Sequence, residues 1–308
     1  MTARARALVV LNPSAHGGAG ARRFEIVRTA VDSAFDARIV VGRADGAWRN
    51  DVHSALDDGV RAFVAAGGDG TAHSLVNALI EAPRRPPLET LILGAVGLGS
   101  SNDLHKPVRR RVGGVPVLLD ASRAAPRDIV RCVYGGRSGA VLISASIGVT
   151  ASANARFSAD TRVARCLRRT STVAAVAWAA GRTIAAWRNL PARLRIDGGE
   201  AERVPLTSLS VLKTEWVSGR LRYGHAVAPA SGDFDVAVAE GLGRARLLLD
   251  VLALLRGRFD GRPGHRRCRA RSLDVWLDHD SPLEIDGEIA LARAAHFDML
   301  GERIRLCA

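Results

Sequence analysis

Short apolar runs alternate with amphipathic stretches along the first 105 residues. Ala7–Asn12 (ALVVLN) reads as a buried strand, Ala21–Ala34 as a helix, and Ala37–Val41 (ARIVV) as a second strand. A second helix is expected near Ala47–Asp57. Ala62–Ala66 (AFVAA) and Leu91–Val96 (LILGAV) read as two further strands, with a helix from Thr71 to Ile80 between them. Apolar runs of about five residues separated by helices of about 10 to 14 indicate βαβ units and a parallel sheet.

From about Pro126 the pattern changes. Asp128–Val133, Ala140–Ser146, Ala192–Ile196, Leu206–Leu212, Phe234–Ala239 and Leu273–Leu277 alternate as strands of an antiparallel meander, with helices inserted at Thr161–Trp187 and Arg246–Arg256. The break at DASRAAPRD, near residues 120–126, marks a boundary. The expected fold class is α/β: an N-terminal parallel-sheet (Rossmann-like) domain over residues 1–124, then a mostly antiparallel β-sandwich domain over 125–294. Residues 295–308 are expected to complete the first domain, and a cleft is expected between the two.

Composition agrees with two folded domains. The chain has 308 residues, 47% apolar and 24% charged, which fits globular packing rather than disorder. The four cysteines stand far apart with no CxxC pair, which argues against a structural zinc or a disulfide framework and suits a reducing compartment. The N-terminal apolar run before Asn12-Pro13 is too short for a signal peptide and reads as the first strand. The longest uncharged helical stretch, Thr170–Gly181, falls short of the roughly 20 residues a membrane span needs. A cytoplasmic protein is therefore expected. The net charge is +13, and the only lysines are Lys106 and Lys213. Such an excess attracts nucleotide phosphates, acidic headgroups or nucleic acid; a genome-wide arginine bias explains it equally well.

Candidate chemistry lies in the loops that follow the first, third and fourth strands. VAAGGDGTAHSLVNAL (Val64–Leu79) climbs a buried strand, turns through Gly67, Gly68, Asp69, Gly70 and Thr71, and starts a helix at once. Glycines there allow positive φ and a close backbone approach to a ligand at the helix N-terminus, with Thr71 as N-cap. LNPSAHGGAG (Leu11–Gly20) and GAVGLGSSNDLHK (Gly94–Lys106) fall on the same edge of the expected sheet. The three together read as a phosphate cradle; the alternative for GGDGT alone is an ordinary strand-to-helix turn with an aspartate in it. Neither a P-loop GxxxxGK[ST] nor a Rossmann GxGxxG is present.

The loops resemble those of the diacylglycerol kinase catalytic domain family, which includes bacterial lipid kinases and sphingosine and ceramide kinases, with NAD kinases as distant relatives. Asn12 and Pro13 with Gly17 and Gly18 are similar to the family's first loop, Gly67–Thr71 match its GGDGT, and Gly99, Ser100, Asn102 and Asp103 are similar to its GTGND. PLEIDGE (Pro282–Glu288) resembles the closing DGE segment, and VAPASGDFDVAVA (Val227–Ala239) the stretch ending in DGxLDV. The resemblance implies an ATP-dependent kinase of a lipid alcohol such as diacylglycerol, acting in lipid metabolism or phospholipid biosynthesis. ATP phosphates would lie toward GGDGT, and Mg²⁺ would be held in part by Asp69. Asp286 would be the general base, supported by Glu288. Without the resemblance, Asp286-Gly287 reads as a hairpin turn.

Three departures stand out. Ser74 replaces the family's usual glutamate, Ser231 replaces the aspartate expected before Gly232, and Lys213 stands where many members carry asparagine. Lys213 reads either as a phosphate contact or as a surface lysine. His16, His73 and His105 lack metal-ligand spacing and read as loop or helix-surface residues. Arg109–Arg111, His265–Arg271 and the helix carrying Trp178 and Trp187 are candidates for peripheral contact with an anionic membrane surface; a solvated strand face is the alternative for His265–Arg271 and core packing for the helix. The competing functions are a nucleotide- or lipid-binding pseudokinase and a kinase of a soluble acceptor, NAD kinase-like. No nucleic acid partner is expected, because the chain lacks a basic helix with interleaved aromatics.

Overall fold

A computed structural model describes residues 4–43, 45–159 and 172–308. Cys166 and most of the first half of the expected Thr161–Trp187 helix lie outside the described residues. The chain divides into two compact units, 1–129 with 300–308, and 130–299. It passes from one unit to the other within two long strands, at Ile129–Val130 and at Met299–Leu300, so the division falls a few residues beyond the DASRAAPRD break.

The first unit runs β1 (Arg6–Leu11), α1 (Gly20–Ala34), β2 (Asp36–Val41), α2 (Trp48–Asp57), β3 (Ala62–Gly67), α3 (Asp69–Glu81) and β4 (Ile92–Gly97). β1 pairs in parallel with β2 and β3, and β3 in parallel with β4. β5 (Val115–Leu118) joins β4 antiparallel, and the chain end returns to pair Arg305 with Ile92 and Leu306 with Leu93 in parallel. Every residue of β3 is buried, as a central strand covered on both faces requires. Phe24, Val27 and Val31 of α1 form the buried stripe that packs this sheet.

The second unit is mostly strand. β6 (Ala125–Tyr134) pairs with β7 (Arg137–Val141), followed by β8 (Ser144–Gly148) and the helices α4 (Val149–Ser158) and α5 (Thr172–Ala186). Next come β9 (Leu190–Ile196), β10 (Glu202–Leu212), β11 (Phe234–Glu240), α6 (Arg244–Leu255), β12 (His265–Ala270), β13 (Ser272–Ile285) and β14 (Glu288–Leu306). The order β12-β11-β10-β9-β13-β14 is antiparallel throughout, and β8 pairs with both β10 and β13. Its core is separate from the first, built on Val130, Ile147, Leu209, Val236, Leu283 and Phe297 among others.

Two expectations need correction here. The run Ala140–Ser146 is two strands, because the chain breaks at Leu142–Ile143 to turn its amides toward a buried carboxylate. Leu273–Leu277 is only the opening of a strand of 14 residues whose far end carries that carboxylate's hairpin.

Candidate active site

Parallel neighbours end on one edge, so the loops after β1, β3 and β4 converge. The Asn12 side chain closes a turn by accepting from the Ser14 amide at 3.0 Å and donates to the Thr71 hydroxyl at 3.3 Å. Gly68 lies against Gly99: a Cβ on Gly99 would stand 2.6 Å from the Gly68 Cα, and one on Gly68 3.3 Å from the Gly99 Cα. A Cβ on Gly67 would meet the Thr71 hydroxyl at 2.1 Å. None of these three glycines has a positive φ, and Gly68 is extended at φ −94°. The expectation of left-handed backbone in GGDGT is therefore corrected. Bare Cα atoms are needed because two loops and a threonine pack directly on the backbone.

Helix α3 starts at Asp69, not Thr71, with Gly68 as N-cap. The Gly68 carbonyl accepts from the amides of Thr71 and Ala72 at 3.0 and 3.3 Å, which places Thr71 inside the first turn, where its hydroxyl is available to Asn12. Asp69 reaches the third loop. Its carboxylate accepts from the amide of Asp103 at 3.0 Å and from that of Leu104 at 3.2 Å. Asn102 sits in the left-handed region at φ 51°, which asparagine tolerates better than most residues. Its side chain accepts from the Gly99 amide at 3.0 Å and donates to the Gly99 carbonyl at 2.9 Å. Asp103 is buried and pairs with Lys106 at 2.6 Å.

The remaining residues of these loops are more open. Pro13 is half-buried ahead of a single turn whose His16, Gly17 and Gly18 are left-handed, Gly70 is half-buried, and Ser100 is exposed. His105 is buried rather than on a surface, and burial pushes its imidazole down to about 4, so it is neutral at pH 7. His73 is half-buried against Asn77, its ring nitrogen 3.1 Å from the amide. Among the described residues no group of three His, Cys, Asp or Glu could hold a metal ion. Asp69 gives both its oxygens to amides.

In the second unit, Asp286 and Gly287 form the two-residue turn of the β13–β14 hairpin, both at positive φ (49° and 95°), the primed geometry that Asp-Gly favours. The hairpin turn that Asp-Gly signals is thus present. The Asp286 side chain is 2% exposed and accepts from three successive amides, Leu142 at 2.8 Å, Ile143 at 2.9 Å and Ser144 at 3.0 Å. Its own amide donates to the Ser144 carbonyl at 2.9 Å. Successive N–H groups converging on one carboxylate make a concave anion site within the fold.

Glu284 is the companion that sequence reasoning missed. It is buried, accepts from the Ser146 hydroxyl at 2.7 Å and from the Gly287 amide at 3.0 Å, and so ties the hairpin turn to β8. Burial, opposed by the Ser146 hydrogen bond and aided by the charge of Asp286, pushes it up to about 6. Glu288, expected beside Asp286, is exposed at the start of β14. The alternation of β13 was the one available signal: Glu284 lies two residues before Asp286 and so on the same face of the chain.

Lys213 is 1% exposed, neither a phosphate contact nor a surface lysine. Its ammonium donates to the carbonyls of Ala228 at 3.1 Å and Asp233 at 2.7 Å and so holds the loop that contains Ser231. Ser231 hydrogen-bonds the Asp233 carboxylate at 2.5 Å, and Arg269 pairs with it at 2.7 Å. Arg266 and Arg267 of β12 are also paired, with Glu202 and with Asp260 respectively. The arginines of His265–Arg271 are thus largely engaged within the unit. Trp187 packs with Ile184, Leu242 and Leu247, the core alternative for that helix.

Two family profiles match the chain: the diacylglycerol kinase catalytic domain over residues 6–127, and the YegS C-terminal NAD kinase beta sandwich-like domain over residues 144–308. The diacylglycerol kinase of Staphylococcus carnosus (strain TM300) is 26% identical over 140 residues, 44% of this chain and 46% of that protein. The chain thus spans about half the length of the curated relative it matches. A putative diacylglycerol kinase from Bacillus anthracis str. Sterne is similar in structure with a TM-score of 0.73 at 17% identity, covering 100% of this chain and 98% of that one. A diacylglycerol kinase structure from the same organism gives 0.69 at 16% identity with the same coverage. At such identities the likeness is one of fold: α/β, with many antiparallel strands and a β-rich C-terminal region.

Proposed function

The chain belongs to the diacylglycerol kinase catalytic domain family, and from that premise we propose that it is an ATP-dependent lipid kinase that transfers the γ-phosphate to the hydroxyl of a lipid alcohol such as diacylglycerol. The observation that carries the reading is the closure of three loops in the first unit. Gly68 against Gly99, Asp69 on the amides of Asp103 and Leu104, and Asn12 on Thr71 hold the start of α3 in a fixed frame. A rigid, bare-backbone helix start suits nucleotide phosphates. Phosphoryl transfer asks mostly for positioning and charge stabilisation. Asp69 acts as a positioning residue for the third loop, and magnesium would arrive on the phosphates of ATP, since Mg²⁺ is commonly held by substrate phosphates with one or two carboxylates.

Asp286 is the proposed acceptor of the lipid hydroxyl's proton. Glu284, Ser146 and the amides of Leu142, Ile143 and Ser144 fix its position. Glu288 is given no role beside it. The enzyme works in lipid metabolism, at a peripheral contact with an anionic membrane.

One observation favours a second reading, a nucleotide- or lipid-binding pseudokinase. The Asp286 carboxylate is wholly buried and already accepts three amides, an arrangement that also serves as a structural latch. Incubating the chain with ATP and either mixed-lipid vesicles or NAD separates the readings. ADP formed only with lipid supports the kinase; ADP formed only with NAD points to a soluble acceptor; ATP binding without turnover in either supports the pseudokinase.

A further inference from the structure

α6 is a helix whose outward face is unlike the rest of the surface. Leu248, Leu249, Leu252 and Leu255 are between 46 and 57% exposed, and they make up nearly half of the exposed large apolar residues described. Leu248, Leu252 and Leu255 stand at i, i+4 and i+7 with Leu249 beside them, so they form one stripe. Leu247, Asp250 and Ala253 occupy the opposite, buried face, where Leu247 packs with Ile184, Ala239 and Leu242. The helix is therefore anchored with its leucines turned out.

Charge flanks the stripe at both ends of the helix. Arg244 and Arg246 at one end and Arg256 and Arg258 just beyond the other are exposed. Among the ion pairs described, none involves Arg246, Arg256 or Arg258. The only acidic residue of the helix, Asp250, is buried and taken by Arg262 and His265. Arginines in the first turn also oppose the helix dipole, which favours anions there. Nothing within the helix rewards them at that end.

We propose that α6 is the membrane-docking surface of this protein, lying flat on an anionic phospholipid bilayer with its leucine stripe among the acyl chains and its arginines on headgroup phosphates. Twelve residues make about 18 Å of helix, enough to lie in the interface and too little to cross. A second copy of the chain fits the face less well, because antiparallel stacking of two such helices sets arginine against arginine at both ends. An anionic surface neutralises all four. The choice of a bilayer rests on the lipid-kinase reading, whereas the test reads binding without ATP, so either can fail alone.

The test is flotation of the full chain with vesicles of phosphatidylcholine alone or with phosphatidylglycerol added. Binding is expected only with the anionic lipid, and it should weaken as salt approaches the molar range. The pair Leu248→Ser with Leu252→Ser should lower the partition coefficient by about tenfold or more, and Arg246→Glu with Arg256→Glu should abolish binding. Both pairs should keep the wild-type melting temperature, since the side chains are exposed. Leucine variants that float like the wild type would overturn the proposal. So would a dimer of the wild type in lipid-free solution that the leucine variants dissociate.

Discussion

Gly99 is pressed against Gly68 more closely than any other side chain would permit: a Cβ at Gly99 would fall 2.6 Å from the Gly68 Cα, whereas the reverse distance is 3.3 Å. The asymmetry makes a prediction. Gly99→Ala should force the loops after β3 and β4 apart and weaken ATP binding by about tenfold or more, the usual scale of overpacking. Gly68→Ala should cost clearly less. Isothermal titration with ATP checks both, and equal effects, or none, would remove the close approach from the account.

Asp69 joins the same loops by hydrogen bonds. Asp69→Ala leaves two amides of the Asp103–Leu104 turn without their acceptor, at a cost of about 1–3 kcal/mol. Hydrogen exchange at Asp103 and Leu104 should accelerate before that of β3, and ATP affinity should fall with it. Asp69→Asn keeps one acceptor oxygen and should lie between. Unchanged exchange with lost ATP binding would instead return Asp69 to direct contact with the nucleotide or its magnesium.

Glu284 makes a pH prediction. Its pKa in the folded protein is raised from 4.5 to about 6, so between those values the folded protein keeps a proton that the unfolded chain has released. The stability this proton supplies is complete below about pH 4.5 and is lost as pH rises through about 6. Wild type should lose about 2 kcal/mol relative to Glu284→Gln across that window. His105 works in the opposite sense: its pKa is lowered from 6.5 to about 4, so its contribution is lost as pH falls. Denaturant titrations of the two proteins at pH 4.5 and 6.5 cancel the His105 effect, and a constant difference would show Glu284 to be ordinary.

How much of this could be read from the sequence depends on where the information sits along the chain. The strands from Ala7 to Val96 were legible because buried strands and amphipathic helices have different periods. GGDGT was legible as a special turn but not for the right reason, since close approach of Gly99 to Gly68 is a tertiary fact that composition cannot separate from positive φ. The break between Leu142 and Ile143 left no local trace at all; two buried aliphatic residues inside an apolar run look like strand until Asp286, 142 residues further on at Ser144's amide, takes their amides. Lys106 and Lys213 are the only lysines in an arginine-rich sequence. Each proved to hold a confined oxygen partner, Asp103 or the Ala228 and Asp233 carbonyls, where a compact ammonium fits better than a guanidinium fork.

Lys213→Met is therefore expected to be damaging although no substrate is assigned to it. The carbonyls of Ala228 and Asp233 would lose a charged donor inside the unit, at a cost of about 1–3 kcal/mol. Lys213→Arg should not rescue it, because the larger planar head does not fit a site that is 1% exposed. Thermal melts of the two variants check this. A Lys213→Met protein as stable as the wild type would mean the loop is held by Ser231 and Arg269 alone.

The central claim is that Asp286 serves the transfer step while the first unit holds the nucleotide. Asp286→Asn puts an NH₂ group among three amide donors, so its melting temperature must be measured and transfer normalised to the folded fraction. The measurement is the rate at which label from the γ-phosphate of ATP enters the lipid phase of diacylglycerol-containing vesicles, set beside ATP affinity in the same preparation. For the folded variant the account predicts ATP affinity within a few-fold of wild type and a transfer rate lower by roughly 10²–10⁴, the usual contribution of a positioned base. Transfer at the wild-type rate by Asp286→Asn would contradict it, and the hairpin at Asp286 would then be a latch and nothing more.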